Sequence, residues 1–420
     1  MRKFGQTRRL FAGHLTSSLQ TDITTRPVLV GRPGPMTICH PVWRLGRGGL
    51  ERQLVQIVNR MSTDEYRHVV LVRGWDKSSE QLASELDDHV TLIKQAEPGR
   101  DRTWSRRLAC ILREYEVNVL HVRGLSMLMD AVLAAELYGD TAVAFSFHGF
   151  ESPGKHFDGI RRKIYREAVL RCESRWAVGR TAAQSIAEML NVPRDVFGVL
   201  ANGVDTDDYE PAPDRSRVRR TLGLPDDRLV LLSVGNLKPV KGHEILLQAM
   251  RQSNAIADRV VLAVVGDDYL DGSLQAWAAE NLNDFDVRFF GRQTDALSWY
   301  QAADAFVLPS LWEGMSNALL EAMSCGLPTI ATRVGGNQDV IQDEETGLLV
   351  EPGHSEELSA AIVRLINDAD LRVELGSAAR ERVLQHFSLN KTVEDCAAYY
   401  RRLAQPVLSE SVETQTAGSV

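Results

Sequence analysis

The densest chemistry in the chain lies in Pro309-Ser310-Leu311-Trp312-Glu313-Gly314-Met315-Ser316-Asn317-Ala318-Leu319-Leu320-Glu321. A short apolar run, AFVLPS, leads into it, and Ser316 or Asn317 can cap a helix that ends near Cys325-Gly326. Glu313 then sits in the loop and Glu321 about one turn into the helix. Two carboxylates so placed can accept hydrogen bonds from two separate hydroxyl-rich groups, such as a hexose and a ribose, while the helix N-terminus faces a diphosphate. The plainer alternative makes Glu313 a loop charge and Glu321 a solvated helix residue.

Three further places carry chemistry. In Asn236-Leu237-Lys238-Pro239-Val240-Lys241-Gly242, after the strand-like LVLLSVG, a lysine between strand end and helix start is a point charge suited to a diphosphate. Two solvated surface lysines are the alternative. In Gly46-Arg47-Gly48-Gly49-Leu50-Glu51-Arg52, adjacent glycines at a strand-to-helix turn let backbone N–H groups approach a phosphate oxygen, or simply satisfy a turn. It is not a dinucleotide fingerprint, because the third glycine of G-x-G-x-x-G counted from Gly46 falls on Glu51. His148, closing AVAFSF, places an imidazole at a strand's carboxyl end, where it can bond or exchange a proton with substrate or remain structural.

The elements that must position these residues are short apolar runs alternating with amphipathic stretches, the pattern of parallel strands covered on both faces by crossover helices. Strands are expected at 36–42, 67–74, 89–94, 118–124 and 142–149, then in SRWAVG and VFGVLANG. After a break at NGVDTDDYEPAPDRSRVRR they resume at 229–235, 259–266, 287–291, 305–310, 328–332 and 347–350. In open parallel sheets ligands bind beyond the strands' carboxyl ends, where all four candidate regions fall. The expected division is an extension over 1–35, a first domain over 36–205, a second over 206–390, a helix over 391–405 and a disordered tail over 406–420.

Composition narrows the function classes. The 420 residues are 44% hydrophobic and 25% charged, the balance of a soluble globular chain with two cores. Net charge is −8, divided as 29 basic against 26 acidic residues through Glu210 and 19 against 30 after it. A uniformly basic nucleic-acid binder is thereby disfavoured, and no nucleic-acid partner is expected. Five scattered cysteines with no zinc spacing suit a reducing cytosol. The N-terminus is basic without the apolar core of a signal peptide, and no 18-residue apolar run exists, so a cytoplasmic protein without a spanning helix is expected. The segment 159–176 reads as a basic amphipathic helix with Arg161, Arg162, Lys163, Arg166, Arg171 and Arg175. Such a helix can lie on anionic lipid, though a packed helix with a solvated basic face is the default.

Together these motifs resemble the GT-B retaining glycosyltransferases of family 4, over about Thr37 to Phe387. The likeness rests on VGNLKPVKG, a VVGD turn, FFGR, AADAFVLPSLWEGMSNALLEAMSCGLP with its E-x7-E pair, VGG before GLLV, GGLER and NGVD. It implies an α/β fold of two Rossmann-like domains with parallel sheets facing a central cleft, the first binding acceptor and the second donor, with the last helix crossing back. Carried over to this sequence, it makes His148, Lys241 and Glu313 catalytic. The donor site would comprise Gly48, Gly49, Asn236, Lys238, Lys241, Arg292, Glu313, Gly314, Met315, Ser316, Asn317 and Glu321. Glu313 would hold sugar hydroxyls, Glu321 the ribose, and Lys241 the diphosphate with backbone N–H groups at 315–317. Many relatives carry arginine where this chain has Asn236, a departure that either Lys238 offsets or that weakens diphosphate binding.

The resemblance implies a metal-independent hexosyltransferase that needs no cofactor beyond its nucleotide-sugar co-substrate, UDP- or GDP-linked. The acceptor would be a glycan or lipid-linked sugar. GGLER, YRHVVLV and NVLHVRG look like bacterial exopolysaccharide-associated members, implying work at the inner face of the cell membrane with peripheral contact to anionic lipid. A nucleotide-sugar epimerase of the same fold, a nicotinamide-dependent oxidoreductase and a non-catalytic nucleotide-sugar sensor are the rival readings.

Overall fold

A computed structural model describes residues 34–46, 48–96, 101–149 and 159–404. The expected tail, Arg47 and all of the expected extension but Gly34 and Pro35 lie outside the described residues. Seven parallel strands, β1 (Met36–Val42), β2 (Tyr66–Trp75), β3 (Thr91–Ala96), β4 (Val119–Arg123), β5 (Ala142–Phe147), β6 (Ser174–Ala177) and β7 (Gly198–Val199), form one sheet in the order β3-β2-β1-β4-β5-β6-β7. Six more, β8 (Leu229–Val234), β9 (Val260–Val265), β10 (Asp286–Phe289), β11 (Ala305–Leu308), β12 (Thr329–Thr332) and β13 (Leu348–Val350), form a second parallel sheet in the order β10-β9-β8-β11-β12-β13. The architecture is two Rossmann-like α/β domains.

Helices cover both faces of each sheet, which is why the inner strands are apolar without alternation: every residue of AVAFSF in β5 and of VVLAVV in β9 is buried. In each sheet the chain builds outward from its first strand and then returns to that strand's other side. The reversal opens a crevice between β1 and β4 and another between β8 and β11, beyond the carboxyl ends of those strands.

The chain passes between the domains twice, once along the linker and once at 387–388. The two passages are tied together, since Val204 N–H donates to the Phe387 carbonyl at 2.9 Å and Leu389 N–H to the Val204 carbonyl at 2.8 Å. Gly203 lies against this junction, where a Cβ would collide with Thr392, Ser388 and Leu389. The helix Leu389–Ala404 then packs on the first sheet, burying Cys396, Ala397 and Tyr400 among Ile38, Ile57, Tyr66, Val119, Ala144 and Trp176. Among the described residues no helix is long and apolar enough to cross a membrane.

One expected element is shorter than its charge pattern implies. The basic helix occupies Gly159–Leu170 only, and Arg175 lies in β6. Arg175 is occupied there with the carbonyls of Leu170, Cys172 and Val196, while Arg171 pairs with Glu136. Burial of Trp176 in the sheet core overrides the helical periodicity of the preceding basic residues. The exposed basic groups that remain on the helix are Arg162, Lys163 and Arg166.

Candidate functional site

The second sheet's crevice collects the sequence candidates. Lys241 arrives from the loop after β8 and Glu313 from the loop after β11, so the switch point brings together two groups 72 positions apart. Lys241 Nζ donates to Glu313 Oε1 at 2.6 Å, and Ser310 Oγ donates to the same oxygen at 2.6 Å. The Glu313 side chain is 8% exposed and that of Lys241 27%. The pair is therefore a buried anion satisfied by a cation that still reaches solvent, with Glu313 Oε2 left for another donor.

Ser316 is the N-cap of the helix Asn317–Ser324, its Oγ accepting from Leu319 N–H. The backbone N–H groups of Met315, Ser316 and Asn317 have no acceptor among the described residues. Three unspent donors at a helix N-terminus, next to an ammonium, make an anion-binding corner.

Glu321 lies deeper. Its Oε2 accepts from the Tyr300 hydroxyl at 2.8 Å, and burial raises its carboxyl pKa against the lowering effects of that bond and of Arg52. Arg52 belongs to the helix Gly49–Arg60 of the first domain, so a charge from across the cleft faces this carboxylate. Beside Lys241, His243 is buried, with neither ring nitrogen partnered among the described residues, and burial together with Lys241 pushes its pKa down to about 4.

The remaining donor-site candidates are more peripheral. Lys238 Nζ stands 5.0 Å from the Tyr269 ring centroid, an orientation that directs it to an aromatic face. Arg292 pairs with Asp267 at 3.2 Å. Asn236 contributes its carbonyl to Lys238 N–H at 2.8 Å.

The two domains meet around the same loops. A Cβ on Gly314 would run into the His148 carbonyl, and one on Gly149 would run into Trp312 and Gly314, so these glycines allow the backbones to touch across the cleft. Asn317 Nδ2 donates to the Gly49 carbonyl at 3.1 Å, and its Oδ1 accepts from Asn202 Nδ2 at 2.9 Å. Asp339 accepts from Thr181 N–H at 3.2 Å and from Arg180 Nε at 3.1 Å. The first domain's Gly48-Gly49 loop and His148 are thereby brought to the loops of the second domain that carry Glu313 and Asn317.

The first sheet's crevice holds residues that motif reading passed over. Arg123, at the carboxyl end of β4, donates to His40 Nδ1 at 2.9 Å, and burial lowers its pKa. Ser146 Oγ lies 2.9 Å from His148 Nε2 and also 2.9 Å from His121 Nε2. Arg123 was legible, because it occupies the same strand-end position that singled out His148. Asp339 was not, because its contacts exist only across the cleft, and Asn202 stood in the NGVD motif without its partner Asn317 being readable from the sequence.

Known proteins resemble this chain in sequence and in fold. The family described as Glycosyltransferase Family 4 matches residues 47–208, and that described as Glycosyl transferases group 1 matches residues 214–382. A GDP-mannose-dependent monoacylated alpha-(1-6)-phosphatidylinositol monomannoside mannosyltransferase of Corynebacterium glutamicum is 30% identical over 81% of this chain and 91% of its own. A UDP-Gal:alpha-D-GlcNAc-diphosphoundecaprenol alpha-1,3-galactosyltransferase of Escherichia coli is 28% identical over 77% of this chain and 87% of its own. The crystal structure of Anabaena HepE in complex with UDP superposes with a TM-score of 0.76 over 88% of this chain and 100% of that one, at 20% identity, a likeness of fold.

Proposed function

The chain belongs to the group 1 glycosyl transferases of glycosyltransferase family 4, enzymes of GT-B fold, and we propose that it moves a hexosyl group from a UDP- or GDP-sugar to a sugar hydroxyl with retention of configuration. The observation that carries this reading is the Lys241–Glu313 pair at the β8/β11 switch point, beside three unspent N–H groups. An ammonium and a helix N-terminus suit a diphosphate, and a carboxylate oxygen suits sugar hydroxyls. Relatives named for UDP-Gal and GDP-mannose support either nucleotide.

In the proposed reaction the bond from the anomeric carbon to the departing diphosphate oxygen breaks. The acceptor oxygen attacks from the same face, and its proton passes to that phosphate oxygen. Lys241 can hold Glu313 with one N–H and the diphosphate with the others, so charge developing on the leaving group meets a fixed cation. Glu313 Oε2 and His148 orient the sugar, and Glu321 takes the ribose hydroxyls. A front-face displacement of this kind needs no second carboxylate as nucleophile.

The acceptor proposed is a glycan or lipid-linked sugar, supported by relatives named for a diphosphoundecaprenol and a phosphatidylinositol acceptor. On the first domain, Arg162, Lys163 and Arg166 lie on the helix Gly159–Leu170 with Ile160 at 55% exposure, a composition suited to peripheral contact with anionic lipid.

The test is thermal stabilisation by UDP, GDP, ADP and NAD at matched concentrations, with Glu321→Ala as control. Stabilisation by UDP or GDP that the variant loses is expected. Stabilisation by NAD alone, or an unchanged response in the variant, would overturn the reading.

A further inference from the structure

A chain of hydrogen bonds connects the cleft to the last helix. Tyr400 on the helix Leu389–Ala404 is fully buried, and its hydroxyl lies 2.7 Å from His121 Nδ1. His121 Nε2 lies 2.9 Å from Ser146 Oγ, which lies 2.9 Å from His148 Nε2. The direction of the chain follows from its first member. In a 2.7 Å contact between a neutral phenol and a neutral imidazole, the hydroxyl is the stronger donor and the ring nitrogen the stronger acceptor.

The Tyr400 proton is then turned to His121 Nδ1, which must accept. His121 therefore carries its proton on Nε2 and donates to Ser146 Oγ, so the Ser146 proton is turned to His148 Nε2. His148 is left with its proton on Nδ1, for which no described residue is an acceptor. We propose that Tyr400 is a positioning residue which, through His121 and Ser146, fixes His148 as an Nδ1–H donor toward a hydroxyl oxygen of the bound sugar.

The surroundings keep the chain neutral. The His121 ring packs against His40 at 5.7 Å, Trp176 at 4.8 Å and Tyr400 at 5.7 Å between centroids, and Arg123 is a charged group that acts on it. Burial and Arg123 both lower the pKa of His40, His121 and His148, the last to about 3. A neutral His148 whose Nε2 is taken by the Ser146 proton orients a hydroxyl and does not remove its proton. The role of the sugar rests on the glycosyl-transfer reading; the tautomer does not.

The experiment is nitrogen–proton correlation spectroscopy of the full chain with labelled histidine, assigning His148 by its loss in His148→Gln. An Nδ1–H tautomer is expected in the wild type, and an Nε2–H tautomer there overturns the proposal before any variant is made. Tyr400→Phe and Ser146→Ala should each mix the His148 tautomers and lower kcat/KM about tenfold, the effect of losing one oriented hydrogen bond. The double variant should be no worse than either single one. An unchanged tautomer in Tyr400→Phe, or additive losses, would refute the relay. Stabilisation by UDP or GDP should persist in all variants, so failure of the relay and failure of the donor site read out separately.

Discussion

Removing the Lys241 ammonium should damage stability and turnover by separable amounts. Lys241 Nζ stands 2.6 Å from Glu313 Oε1, and the Glu313 side chain is only 8% exposed, so Lys241→Met leaves a buried carboxylate with Ser310 as its remaining donor. Breaking a buried pair from one side costs about 3–5 kcal/mol. The 27% exposure of Lys241 places this one at the lower end, roughly 3 kcal/mol, or about 6–12 °C in the midpoint of a domain of this size. Turnover should fall on the order of 10²-fold or more through loss of a cation at the leaving diphosphate. Adding Glu313→Gln to Lys241→Met removes the stranded charge and should recover most of the midpoint while leaving turnover at least as low. Thermal unfolding followed by circular dichroism, with nucleotide release as the activity assay, measures both. If the double variant regains activity along with stability, Lys241 serves only to neutralise Glu313, and the diphosphate role is wrong.

Glu321→Ala should mainly raise the donor KM, and an unchanged KM would remove the ribose role. Glu321→Gln should raise the thermal midpoint near pH 7.5 and lose that advantage below about pH 4.5. A carboxyl whose folded pKa is raised contributes stability below its unfolded pKa and loses it as pH climbs through the folded one. Gly314→Ala should lower turnover with little change in the second domain's own stability, because the added methyl meets the His148 carbonyl across the cleft; small-angle scattering should show a longer radius of gyration. Flotation with anionic liposomes should carry part of the protein upward, and charge reversal at Arg162, Lys163 and Arg166 should leave it in the soluble fraction.

Much of this protein was determined by sequence alone. Apolar runs such as VVLAVV can be satisfied only by burial on both faces, which dictates parallel strands and crossover helices. The order strand, loop, helix then places Lys241, Glu313 and Ser316 at strand ends before any contact is known. A cap at Ser316 or Asn317 and a helix end near Cys325-Gly326 follow from local chemistry, and the structure takes Ser316 as the N-cap of a helix that ends at Ser324.

Tertiary structure decided which strand ends are neighbours. The order of strands put β8 beside β11, so that Lys241 and Glu313 share a proton-donor contact that no local pattern encodes. The same holds where Asn317 joins Gly49 and Asn202, and where Tyr400 reaches His121 across 279 positions. Segment 171–176 shows the converse: a basic run in register with the preceding helix became loop and strand, because Trp176 gains more from the sheet core than the helix gains from another turn. Local preference is worth tenths of a kilocalorie per residue, whereas burying a large aromatic side chain is worth about 2–3 kcal/mol, so packing settles what propensity leaves open.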